Sequence, residues 1–311
     1  MGRAAPARVA VNEISRAEGS STPAEEAELL ELASETARMA GALLLERVRH
    51  GAEREVTSKS TPTDLVSEAD VASQRAIREL LRERRPTDGF LGEEEDESEP
   101  GTSGLRWVVD PLDGTVNFLF GIPQWCVSVA VGDGVGTIAG AVFDPNRDEL
   151  FSATRSGPAW LSDSRGVAEL RPRPAGDPEH APAAANAGDG EGAGAGGGDG
   201  DVIASAMVAT GFAYDADVRR AQAAAFERLA PRVRDIRRFG SAALDLAWTA
   251  AGRFDAYYER SVKQWDIAAG TLVCERADLE VHELPAHGTL PWGILVAPPA
   301  LAPALLELVS A

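Results

Sequence analysis

Trp107-Val108-Val109-Asp110-Pro111-Leu112-Asp113-Gly114-Thr115-Val116-Asn117-Phe118 is the stretch on which the fold turns. Leu105 to Val109 is short, apolar and rich in β-branched residues, the pattern of a buried strand. Asp110 falls where that strand is expected to leave the sheet, the usual place for ligands in open α/β sheets. Pro111 lacks an N–H and cannot extend a ladder. The expected turn aims the carboxylates of Asp110 and Asp113, with the carbonyl of Leu112, at one point. Such oxygens suit hard cations such as Mg²⁺, and two adjacent carboxylates repel each other unless a cation lies between them. Gly114 permits close backbone approach, and the amides of Gly114 and Thr115 are placed to hold a phosphate oxygen. A plain strand followed by an Asp-Gly turn is the competing reading, and the rest of the chain weighs against it.

Three further stretches recur with this one. Trp265-Asp266-Ile267-Ala268-Ala269-Gly270 opens an apolar helical run, Phe90-Leu91-Gly92-Glu93-Glu94 is a short strand ending in acids, and Lys59 to Asp70 carries Asp64-Leu65-Val66-Ser67. Together, in this order, the four resemble the signatures of the inositol monophosphatase family over roughly residues 25–310. The resemblance implies a layered α-β-α-β-α sandwich of mixed α/β class, of the inositol monophosphatase and fructose-1,6-bisphosphatase type. It also implies two or three Mg²⁺ ions held by Glu93, Asp110, Asp113, Asp266 and the Leu112 carbonyl. By the same resemblance Glu93 and Thr115 orient and deprotonate the attacking water, Asp70 bonds to Thr115, and Lys59 lies near the phosphate. Gly240, Ser241 and Ala242 present backbone to the substrate, and Glu259, seven residues before Asp266, accepts a substrate hydroxyl. Simpler readings stand beside these: Asp64 and Asp70 as helix-start acids, Ser241 as an N-cap, Asp266 as a cap, Glu259 as a solvated acid after a strand.

The formal charge of −19 argues against a nucleic-acid partner. The 44% hydrophobic and 25% charged shares are those of an ordinary soluble globular protein. Two distant cysteines, Cys126 and Cys274, read as reduced thiols in a cytoplasmic protein. No window has the apolar length of a membrane span, and residues 1–22 lack the core of a signal peptide. His50, His180, His282 and His287 stand in no zinc or nucleophile-base arrangement.

Along the chain, residues 1–22 read as a mobile tail and 23–170 as an N-terminal α+β half carrying the metal site. Thr22-Pro23-Ala24-Glu25-Glu26 is a helix start. A second helix is expected from Asp64 to Arg85, and antiparallel strands over 124–131, 137–144 and 149–153. Residues 171–201, rich in Pro, Ala and Gly, read as a disordered insertion. The C-terminal half, 202–311, is expected to open with a strand over 202–210 and to complete the site. It continues with helices at 221–230 and 244–251, a strand over 254–258 before Glu259, a helix from Trp265, a strand over 290–296 and a last helix.

The expected activity is Mg²⁺-dependent hydrolysis of a small phosphorylated metabolite, first of all inositol 1-phosphate to myo-inositol and phosphate. Histidinol phosphate is the alternative, followed by fructose 1,6-bisphosphate or a non-catalytic binding member. The resemblance also implies a homodimer.

Overall fold

A computed structural model of the chain describes residues 21–50, 56–58, 65–94, 98–172 and 202–310. Lys59, Asp64, most of the N-terminal tail and the tract 173–201 lie outside the described residues, as do 95–97.

The first helix, α1, spans Pro23–His50. Thr22 starts it reciprocally: its Oγ1 accepts from the Glu25 amide at 3.3 Å, and its own amide donates to Glu25 at 2.8 Å. Strands β1 (Val56–Ser58) and β2 (Leu65–Ser67) pair antiparallel, and α2 runs Glu68–Arg84. The expected helix from Asp64 therefore begins four residues later, because Leu65–Ser67 are extended and paired. Next come β3 (Gly89–Gly92), β4 (Ser98–Glu99) and β5 (Arg106–Asp113).

Here the sequence expectation is corrected. The chain does not leave the sheet at Pro111. β5 continues to Asp113, with a register shift against the next strand: Asp110 pairs with Ser128, and then Asp113 with Cys126. One extra residue is accommodated on β5, a β-bulge, which is where a proline is tolerated inside a strand. The bulge takes the place of the expected turn.

After the short helix α3 (Thr115–Leu119), strands β6 (Cys126–Gly132), β7 (Thr137–Asp144), β8 (Glu149–Thr154), β9 (Ala159–Asp163) and β10 (Gly166–Glu169) follow as an antiparallel meander. The eight-stranded sheet has the order β10-β9-β8-β7-β6-β5-β3-β4, with only β3 and β5 parallel. Residues 202–205 form a 3₁₀ turn rather than the expected strand, and β11 begins at Met207 and ends at Thr210. Then come α4 (Ala216–Leu229), β12 (Asp235–Arg237), α5 (Ala242–Ala250), β13 (Ala256–Arg260), α6 (Gln264–Arg276), β14 (Glu280–Leu284), β15 (Gly293–Ala297) and α7 (Ala302–Val309). The second sheet runs β12-β11-β13-β15-β14. Glu259 lies within β13, opposite Ile294, and not after the strand as expected.

The layers follow from which faces are apolar. On β6, Val127, Val129 and Val131 pack toward α1 and α2, whereas Cys126 and Ala130 pack toward α5 and α6. The strand alternates but both faces are covered, so neither reads as polar. A third cluster, including Ile203, Leu229, Leu295 and Leu305, joins the second sheet to α4 and α7. The architecture is the expected α-β-α-β-α stack. Small residues let its middle layer close: a Cβ on Gly140 of β7 would lie 2.9 Å from the Ala269 Cα of α6, and one on Gly270 would lie 2.7 Å from Leu246 of α5. Among the described residues no helix is long and apolar enough to cross a membrane.

Candidate active site

The site forms where the β5 bulge meets the N-termini of α5 and α6. Asp110 is buried, and its Oδ1 accepts from the Leu112 amide at 3.0 Å, which shapes the bulge. Leu112 buries its side chain toward α1 and α2, and its carbonyl lies 3.1 Å from Thr115 Oγ1. Gly114 has φ +99°, and a Cβ there would meet the Gln124 carbonyl at 2.9 Å, so glycine is required on both counts. Thr115 donates its hydroxyl to Asp70 Oδ1 at 2.8 Å, as expected.

Asp113 ends β5 and reaches the other half of the chain. Its Oδ2 accepts from Ser241 Oγ at 2.8 Å and from the Ala243 amide at 2.7 Å. Ser241 does occupy the N-cap position of α5, but its hydroxyl makes no cap bond. Asp113 caps that helix from outside. The Asp266 carboxylate, in the first turn of α6, accepts from the Lys263 amide at 2.6 Å, so it does cap its helix start. Glu93 follows β3, and its amide donates to the Val109 carbonyl at 3.2 Å, which sets it beside β5.

These acids crowd one another. Burial pushes Asp110 well above the usual carboxylate range, reinforced by the charges of Glu93, Asp113 and Asp266 and by a hydrogen bond shared with Glu93. Asp113 is pushed up to about 6, burial outweighing the donors from Ser241 and Ala243. Asp266 is raised well above its usual value by burial and then by Glu93 and Asp113. Among the described residues no three His, Cys, Asp or Glu side chains stand as placed to hold a metal ion. The carboxylates instead bond to chain donors: Asp110 to the Leu112 amide, Asp113 to Ser241 and the Ala243 amide, and Asp266 to the Lys263 amide. Buried, mutually repelling carboxylates with a nearby carbonyl are a donor set that fits a hard divalent cation.

Several supporting residues were not assigned from sequence. On α2, Ser73 and Gln74 occupy the buried face beside the expected Asp70 and ahead of Ile77 and Leu81. Ser73 Oγ donates to the Pro111 carbonyl at 2.9 Å, and the Gln74 amide clamps the Glu94 backbone at 2.6 and 2.9 Å. A Cβ on Gly92 would fall 2.2 Å from Gln74 Oε1, so the clamp needs glycine there. The legible signal was polarity at helical spacing on a face that should be apolar. Asn117 Nδ2 donates to the carbonyls of Gln124 and Phe239, both at 2.7 Å, joining α3 to the segment before Gly240. Gly240 has φ +84°.

Glu259 lies over Gly211, near enough to Asp113 and Asp266 for their charges to act on one another. A Cβ on Gly211 would sit 2.1 Å from its carboxylate, and Tyr257 donates its hydroxyl to Glu259 Oε2 at 2.9 Å. Burial raises Glu259 to about 7, opposed by the Tyr257 hydroxyl and the charge of Arg238.

Residues 25–309 match the model of the inositol monophosphatase family. An inositol-1-monophosphatase of Mycobacterium bovis is 38% identical over 256 residues, covering 81% of this chain and 80% of that protein. A Pasteurella multocida protein named Nus factor SuhB is 36% identical over 271 residues, covering 86% and 90%. The crystal structure of the extragenic suppressor protein SuhB from Bartonella henselae superposes with a TM-score of 0.75 at 29% identity, covering 91% of this chain and 98% of that one. With its motifs, its fold and these relatives in agreement, the chain belongs to the inositol monophosphatase family.

Proposed function

We propose that this protein hydrolyses the phosphate monoester of a small polyol, inositol 1-phosphate first of all. The observation that carries the reading is the gathering of Asp110, Asp113, Asp266 and Glu93 from distant parts of the chain beside the Asp70–Thr115 hydrogen bond. Mg²⁺, as two or three ions held by these four acids and the Leu112 carbonyl, would supply Lewis-acid activation of the attacking water and of the departing oxygen. The chain's own groups do the rest. Thr115, oriented by Asp70, and Glu93 position the water and take its proton. The amides of Gly114 and Thr115 hold the equatorial phosphate oxygens as charge builds on them. Gly240, Ser241 and Ala242 line the leaving-group side, and Glu259 accepts one of its hydroxyls. Lys59 is assigned to the phosphate by the family resemblance.

We take residues 23–170 and 202–311 as two halves that complete one site, in a cytoplasmic homodimer. Histidinol phosphate is the second reading, because a carboxylate at Glu259 also suits an amine.

The test is Mg²⁺-dependent phosphate release from inositol 1-phosphate, histidinol phosphate, fructose 1,6-bisphosphate and phosphoadenosine phosphate. A preference in kcat/KM of about a hundredfold, roughly 2.7 kcal/mol of transition-state discrimination, names the substrate class. No metal-dependent release from any of them overturns the enzymatic reading in favour of a binding role.

A further inference from the structure

Asp70, Ser73 and Gln74 stand at i, i+3 and i+4 on one buried face of α2. Each reaches a different segment of the site. Asp70 accepts from Thr115 at the start of α3, Ser73 donates to the Pro111 carbonyl in the β5 bulge, and Gln74 bonds the backbone just past β3. Farther along the same face, Ile77 and Leu81 pack into the core.

The Gln74 contact bears on Glu93. The ladder of β3 ends at Gly92, which pairs with Val109. The Glu93 amide still donates to the Val109 carbonyl at 3.2 Å. At the next residue the Gln74 side chain takes the place of a strand partner. Its Nε2 donates to the Glu94 carbonyl at 2.6 Å, and its Oε1 accepts from the Glu94 amide at 2.9 Å. Peptide units are planar, so holding the unit on each side of a Cα leaves its two dihedrals little freedom. The unit before Glu93 is held by β5, and the unit after it by Gln74. Together they set the direction in which the Glu93 side chain leaves the backbone. Gly92 makes room for this, because a Cβ there would overlap the Gln74 amide. Burying an amide costs desolvation that an apolar side chain of similar volume does not. Gln74 is only 4% exposed, and both of its polar atoms are spent on Glu94.

We propose that Gln74 is a positioning residue for Glu93. By holding the Glu93–Glu94 peptide unit it fixes the carboxylate that orients the attacking water and takes its proton. This inference rests on the phosphatase reading given above.

The experiment compares the full-length wild type with Gln74→Met, Gln74→Glu and Ile77→Val. Methionine fills a similar volume without an amide, and glutamate keeps the acceptor for the Glu94 amide. Ile77→Val trims the same helix face away from Glu94. In Mg²⁺-free protein, hydrogen exchange at the Glu94 amide should quicken about tenfold or more in Gln74→Met and stay near wild type in Ile77→Val. With saturating Mg²⁺, kcat of Gln74→Met should fall about ten- to a hundredfold with little change in KM. The loss should be the same on inositol 1-phosphate and p-nitrophenyl phosphate, since Glu93 acts on the water and not on the leaving group. Gln74→Glu should recover most of it. A merely structural role would lower Tm in Gln74→Met and Ile77→Val and leave kcat of the folded protein unchanged in both. Unchanged kcat in Gln74→Met, an equal fall in Ile77→Val, or no recovery in Gln74→Glu overturns the role of Gln74 while wild-type activity leaves the phosphatase reading standing. A wild type that releases phosphate from neither ester removes that reading and this inference together.

Discussion

Asp113 and Ser241, 128 positions apart in the chain, meet in a 2.8 Å hydrogen bond from the serine hydroxyl to the aspartate Oδ2. The same oxygen accepts the Ala243 amide. One carboxylate thus joins the end of β5 to the start of α5, and its orientation depends on both sheets being in place. Hydrogen bonds to charged groups contribute about 1.5–3 kcal/mol. Ser241→Ala is therefore expected to weaken Mg²⁺ half-saturation roughly tenfold or more, with a smaller change in Tm because the Ala243 amide still caps the acid. A titration of activity against Mg²⁺ checks this, and an unchanged half-saturation point would remove Asp113 from the metal set.

Asp110 is the most buried of the four acids, and the charges of the other three all push its carboxyl up. A cation binding among them stabilises the folded chain by mass action, about 2.7 kcal/mol at a hundred times Kd. Added to chelator-treated protein, Mg²⁺ should raise the wild-type Tm by roughly 5 °C. In Asp110→Asn that rise should largely disappear, and phosphatase kcat should fall by orders of magnitude. Full kcat in Asp110→Asn would sink the metal mechanism.

Gly211 tests the leaving-group side without touching an acid. Its missing side chain is what lets the Glu259 carboxylate lie where it does. A methyl there has to displace Glu259 from Tyr257. Gly211→Ala should raise KM for inositol 1-phosphate severalfold, with a smaller effect on p-nitrophenyl phosphate. Proportional losses on the two substrates would mean that the position of Glu259 does not govern recognition.

What the sequence made legible was local. The pairs Asp110–Asp113 and Trp265–Asp266, and the glycine of Gly114-Thr115, sit inside short motifs, and the structure gathers them with Glu93. The β5 bulge was not legible, because Pro111 reads the same whether it ends a strand or occupies a bulge within one; only the pairing of Asp113 with Cys126 distinguishes the two. Strands β9, β10, β12 and β14 are short and partly exposed, so their alternation is weak. Asp245 is the one acid in the apolar run of α5, and the groups that act on it, Glu259 and Arg238, come from other elements.

Glu259 gives the pH prediction. In the folded chain its pKa stands at about 7 against an ordinary 4.5, raised by burial and by Asp113, and lowered by the Tyr257 hydroxyl and Arg238. Asp245 lies on the α5 side of the same group. A carboxyl with a raised folded pKa binds its proton more tightly folded than unfolded. Its contribution to stability is then fully present below about pH 4.5 and is lost as pH rises through 7. A rise from 4.5 to about 7 corresponds to about 2–3 kcal/mol at 1.36 kcal/mol per pKa unit, after allowing for partial exposure. Glutamine cannot ionise and escapes this loss. Urea unfolding of Mg²⁺-free wild type and Glu259→Gln at pH 5 and pH 8 isolates the group, since the other acids are common to both. The variant should gain on the wild type by that amount across the interval. A difference that stays constant from pH 5 to pH 8 would show that Glu259 is ionised throughout, and would place its carboxylate in a wetter setting than the contact with Gly211 and Tyr257 implies.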